Sequence, residues 1–193
     1  MSLASALLEI LNLAILVVVI GFIISGYVRS PKKRHFELRE RKLFDWDDFL
    51  FGVLIAAPGI VIHELAHKFL AIGFGASATF QLFPLGLALG IILRLVRSPF
   101  LILAPGFVVI GNEASISPLD MGMIAFAGPL INLVLWLVPM MVLRIRKRKL
   151  KRNVGIFLFY TSFLNMWLFI FNMIPIPPLD GSKVLLGLIN ALS

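Results

Sequence analysis

The chain has 193 residues, of which 60% are hydrophobic and only 15% charged, far from the balance of a soluble domain. It has no cysteine, which excludes a disulfide framework and a thiolate metal site. The net charge of +8 does not point to nucleic acid: seven of the 18 Lys/Arg lie in "RSPKKRHFELRERK" (Arg29 to Lys42) and seven more in "RIRKRKLKR" (Arg144 to Arg152), each beside an apolar run, where charge sets topology against anionic headgroups.

The first apolar run predicts a helix from Leu3 to Val28. It lacks a basic n-region and is longer than the apolar stretch of a signal peptide, so it reads as a retained transmembrane helix. Glu9, near its start, reads as an interfacial glutamate. After the first basic cluster, "DWDDF" (Asp45 to Phe49) puts acidic groups where a helix N-terminus favours them. The second helix is predicted from Asp48 to Ile72, long enough to span at about 1.5 Å per residue. Residues 76–111 are apolar but broken by Pro84, Arg94, Arg97, Pro99 and Pro105. A re-entrant or interfacial element is expected there, with "TFQLF" and "GFVVI" pairing as short strands; two short tilted helices are the alternative. A third span is predicted from Leu119 to Leu143, with Pro129 and Pro139 inside it, and a fourth from Val154 to Met173. "IPIPPLDG" then breaks the chain before a short terminal helix in "SKVLLGLINAL". The fold class is therefore an all-α polytopic membrane protein with about four full spans. It is a single domain over 1–193, with a first helix and basic loop over 1–47 and a core over 48–193.

The second span carries "GIVIHELAHKFLAIG" (Gly59 to Gly73), with ionisable groups where they are most expensive. Positions i and i+4 share a helix face, so His63 and His67 can bind one metal ion. Glu64 lies about 100° around the helix, near the ion without having to ligate it. This is the HExxH arrangement, in which the glutamate handles the proton of a metal-activated water. A catalytic zinc site commonly takes three protein ligands. His35 sits in the basic loop, and Asp45, Asp47 and Asp48 lie at the wrong end of the helix. Glu113 and Asp120 lie in a polar loop. Asp180 directly follows the fourth span in the proline-rich break and is the candidate third ligand. Chain direction agrees: the end of the second span, the start of the third at "AGPLIN", and the end of the fourth all fall on one side of the bilayer, with both basic clusters on the other.

Taken together, "HELAH", "AGPLIN" and "NMIPIPPLDG" resemble the site-2 protease family of intramembrane zinc metalloproteases. "LAPGFVVIG" is similar to a segment of its small archaeal-type members, and the match covers roughly Ile62 to Leu185. The resemblance implies one zinc ion held by His63, His67 and Asp180, with Glu64 as general base and acid. It places Asn172 near the site and matches Asn132 to a Gly-Pro-x-x-Asn element. Both are expected to orient substrate backbone or polarise the scissile carbonyl, with interhelical hydrogen bonding as the other reading. PDZ or CBS domains like those of larger members are not expected here, so substrate selection is expected in the core or in a partner.

The expected activity is hydrolysis of a peptide bond within or near a substrate transmembrane helix. The expected partners are a transmembrane protein and the lipid bilayer, with no nucleic acid, and the expected location is the cell membrane. The unwound substrate is expected to pair with a strand edge from "TFQLF" or "GFVVI". The alternatives are a catalytically inactive membrane scaffold or regulator and a metal transporter; intact Glu64 and Asp180 speak against the first, and the lack of internal repeats against the second. The positive-inside rule puts both basic clusters in the cytoplasm and the metal nearer the opposite face. The resemblance implies a site opening towards the cytoplasm, so the two expectations are opposite.

Overall fold

The computed structural model describes residues 3–31, 42–101, 105–112, 116–146 and 149–192. Most of the first basic cluster, His35 and Glu113 lie outside them. The described residues form α1 (Leu3–Ile24), α2 (Trp46–Gly73), β1 (Ser77–Leu82), α3 (Pro84–Leu95), β2 (Gly106–Gly111), α4 (Pro118–Arg146), α5 (Arg152–Asn172) and α6 (Asp180–Leu192). Helices α1, α2, α4 and α5 are long and apolar enough to cross a membrane, so this is a multi-pass membrane protein.

Asp45 caps α2, its side chain accepting from the backbone N–H groups of Asp47 and Asp48, while those two acids occupy the first turn. The region 76–111 combines both expected forms. β1 and β2 pair antiparallel, from Ser77 opposite Gly111 to Leu82 opposite Gly106. Between them lies one helix, α3, rather than two. Pro84 opens it at the first turn, where a missing N–H costs nothing. Its 12 residues reach only about 18 Å, too short to span. α3 therefore adds no crossing, and Arg94 near its end donates back to the carbonyls of Phe22 and Leu43 near the basic end of the bundle.

α1 packs on α2 through Leu16, Ile20 and Ile24 against Ile55, Ala56 and Ile60, with Phe80 and Leu87 closing the cluster. A Cβ on Gly52 would lie 2.9 Å from the Gly21 carbonyl, so the small residues set the distance between the two helices. A second cluster, Ala71, Ala76, Ala78, Ile110 and Ile124, seats the sheet between α2 and α4.

Two sequence expectations need correction. Glu9 is not interfacial: it is 4% exposed, paired with Lys68 of α2, and accepts from the Phe80 N–H of β1. Its partners lie 59 and 71 residues away, beyond any local signal. Asp180 does not sit in the break but begins α6, because a carboxylate at a helix N-terminus is favoured by the aligned peptide dipoles.

Candidate metal centre

α2 and α4 cross with His63 and His67 facing residues 124, 128 and 132, which repeat every four positions and so share one face of α4. Each of these three positions does something different. The Ile124 carbonyl accepts from His67 Nδ1 at 2.7 Å. Gly128 leaves a hole: a Cβ there would lie 2.7 Å from His63 Nε2 and closer still to His67 Nε2. Asn132 offers its Oδ1 to His63 Nδ1 at 2.6 Å.

The polar network behind Asn132 fixes the tautomer of His63. Asn165 of α5 donates its Nδ2 to the Thr161 carbonyl at 2.8 Å. Its Oδ1 therefore accepts from Asn132 Nδ2 at 2.9 Å, and that nitrogen also reaches the Gly59 carbonyl at 3.4 Å. Asn132 is left with only an oxygen to present, so His63 carries its hydrogen on Nδ1 and a lone pair on Nε2. The carbonyl of Ile124 imposes the same tautomer on His67.

Both Nε2 atoms point at each other, 3.0 Å apart, and each lies 3.3 Å from Asp180 Oδ2. Three lone pairs thus converge with no hydrogen between them, an arrangement that calls for a cation. The dimensions fit zinc: ligand bonds of about 2.0–2.1 Å in tetrahedral geometry separate the ligand atoms by about 3.3 Å. Burial pushes the Asp180 carboxyl up, but when the two imidazoles are protonated their hydrogen bonding and charge outweigh it and hold the group well below the usual carboxylate range. Among the described residues these three form a group that could hold a metal ion.

Glu64, one residue past His63, is 7% exposed and faces the same cavity, with no hydrogen bond or ion pair to its carboxylate among the described residues. The cavity holds about 450 Å³ and is walled by β2 on one side and by α4, α5 and the 178–183 segment on the others. Asn172, at the end of α5, lines it. Asn132 is fully buried and its carboxamide is committed to His63 and Asn165, so its route to the site runs through His63. Asp45, Asp47, Asp48 and Asp120 take no part in the cluster. Gly128 was legible only as the glycine of the Gly-Pro-x-x-Asn element, with no role of its own, and sequence reading missed Asn165 and Lys68. Asn165 and Lys68 are polar positions in otherwise apolar helices, and that was their available signal.

The family model of Peptidase family M50 matches residues 138–193, the part that carries Asp180. The chain is 41% identical over 138 residues to "Putative zinc metalloprotease MJ0611" of Methanocaldococcus jannaschii, covering 71% of this chain and 70% of that one. It is 30% identical over 167 residues to "Putative zinc metalloprotease YwhC" of Bacillus subtilis, covering 74% of each. No solved structure gives a significant match. Likeness over more than two thirds of both relatives, together with the matched C-terminal segment, places this chain in peptidase family M50, the site-2 protease family of metalloproteases.

Proposed function

We propose that the chain is an intramembrane zinc metalloendopeptidase that hydrolyses a peptide bond within or near a transmembrane helix of a protein substrate. One observation carries the reading: three converging lone pairs and an uncommitted Glu64 carboxylate share a cavity set inside an apolar span, with His63 ten residues short of the end of α2. Hydrolytic machinery at that depth, about 15 Å along the helix from its end, suits a bond that itself lies in the bilayer.

Zinc, when bound, supplies Lewis-acid polarisation of the scissile carbonyl and activates water for attack. His63, His67 and Asp180 would hold one ion per chain. Glu64 takes the proton of the attacking water and returns it to the leaving nitrogen. Asn132 is a positioning residue that acts through His63, and the Ile124 carbonyl does the same for His67. The position of Asn172 on the cavity wall supports a role in orienting the substrate carbonyl.

A helix hides its peptide bonds in its own hydrogen bonds, so the substrate must unwind locally. β2 offers replacement partners. Phe83 N–H donates to the Pro105 carbonyl at 3.0 Å, which by strand alternation turns the backbone groups of Gly106, Val108 and Ile110 away from β1. All three residues line the cavity. An extended substrate segment added at this edge would run beside the metal ligands.

The test is zinc content and cleavage, measured together on purified protein with a transmembrane substrate. About one zinc per chain is expected in the wild type and in Glu64→Gln, with loss in Asp180→Ala. Cleavage is expected only in the wild type, since removing the general base costs about 10²–10⁴-fold. Absence of zinc from reconstituted wild type would refute the metal site. Zinc with equal cleavage by wild type and Glu64→Gln would refute the mechanism, and zinc without any turnover would leave a metal-holding scaffold.

A further inference from the structure

A second buried charged cluster lies outside the metal site. Glu9 of α1 and Lys68 of α2 are 4% and 8% exposed, and the Glu9 carboxylate uses both oxygens: Oε2 pairs with Lys68 Nζ and Oε1 accepts from Phe80 N–H at 2.9 Å. Three elements therefore meet at one carboxylate. The proposed mechanism uses neither side chain. Replacing a buried ion pair by apolar groups of similar volume is often neutral or stabilising, so stability alone gives little reason for the pair.

Its location suggests another reason. By the strand alternation, Phe80 turns its N–H away from β2, on the opposite edge of the sheet from the cavity. Glu9 thus occupies an outward amide of β1, where a foreign strand could otherwise add, while β2 keeps its edge towards the cavity. Lys68 follows the metal ligand His67 directly, so the carboxylate ties β1 to the same turn of α2 that holds the ion.

We propose that the Glu9–Lys68 pair is a pin that fixes the two-stranded sheet to the metal-binding turn of α2, so that strand addition is directed to β2 at a set distance from the ligands. Both residues are positioning residues. The catalytic consequence rests on the strand-pairing reading above; the pin itself does not.

The absence of native cysteine allows a direct test. Spin labels on Leu54→Cys of α2 and Val109→Cys of β2, both at exposed positions, report the distance from sheet to helix. Glu9→Leu/Lys68→Met removes the pin without stranding a charge. It is expected to broaden a narrow distance distribution while zinc content stays at the wild-type level. Glu9→Gln/Lys68→Met, which removes the ion pair without leaving a buried charge and keeps an oxygen for Phe80 N–H, is the milder variant should the first not fold, and is expected to broaden it less. Lys68→Arg keeps the pair and is expected to keep the width. In cleavage assays, kcat/KM of the double variant is expected to fall by roughly 10²-fold, the scale of an ångström-level misplacement. A wild-type distance distribution in whichever unpinned variant folds overturns the proposal, whatever the activity. A broadened distribution with unchanged kcat/KM supports the pin and refutes strand pairing at β2.

Discussion

Gly128→Ala is the smallest change that tests the geometry of the metal centre. The added Cβ would lie 2.7 Å from His63 Nε2 and nearer to His67 Nε2. Ordinary contact between such atoms is about 3.5 Å, so relief needs a movement of about 0.8 Å or more. Neither imidazole can swing away freely, because Asn132 and the Ile124 carbonyl hold their far sides. Metal–ligand distances tolerate only about 0.2 Å. The shift is several times that, so zinc affinity is expected to fall at least as far as when an orienting group is lost, about 10–100-fold. That corresponds to about 1.4–2.7 kcal/mol. The intrinsic helix preference of α4 moves the other way, since alanine exceeds glycine by about 1 kcal/mol in a helix interior. The assay is competition against a chromophoric chelator in detergent at fixed pH, with far-ultraviolet circular dichroism beside it. Zinc affinity within twofold of wild type would refute the claim that Gly128 is a hole shaped for the two imidazoles.

Other expectations follow from the same geometry. Asn132→Ala should leave Asn165 without its buried donor and lower zinc affinity about 10–100-fold, read by the same competition assay. Gly187→Val should displace α6, because a Cβ at Gly187 would sit 2.8 Å from Gly122 Cα; zinc content should drop through Asp180 although no ligand has changed. On acidification zinc should leave as protons compete with the ion for the two imidazole lone pairs. Asp180, whose folded-state value is depressed, stays ionised while that happens and contributes to loss only at lower pH. Release tracking about pH 4 instead would assign the limiting group to a carboxylate. A single cysteine at Lys149, in the turn after α4, should be labelled from the cytoplasmic side by an impermeant reagent if the positive-inside rule holds here; labelling from the opposite side would favour the orientation implied by the family.

The clustering of His63 and His67 was legible because histidine is rare in this chain and the spacing puts both on one helix face. The four spans were legible by length and hydropathy, and the strands by β-branched and aromatic runs between prolines. What stayed hidden depends on tertiary neighbours. Glu9 looks like an interfacial residue until Lys68 and Phe80 arrive from elsewhere in the chain. Gly128 and Asn165 could not be assigned because a hole has no local signature and an asparagine in a helix shows no partner. The proline-rich break concealed the start of α6, since Asp180 reads equally as a loop carboxylate and as a helix-opening acid. The single helix α3 was announced by Pro84 but masked by Arg94, whose guanidinium is satisfied by the carbonyls of Phe22 and Leu43 rather than by solvent.

The hydrogen-bonded strip from His63 through Asn132 to Asn165 joins α2, α4 and α5. In hydrocarbon, apolar side chains give helices no preference for one another over lipid, and association depends on close packing and on such polar contacts. The atoms that orient the imidazole are therefore also the adhesive of the bundle. Loading the ion and assembling the three helices become one linked equilibrium: whatever tightens the first favours the second, and a substitution in the strip should register in a cell first as lost abundance. A relative that replaced the strip itself would need other contacts to hold the three helices together.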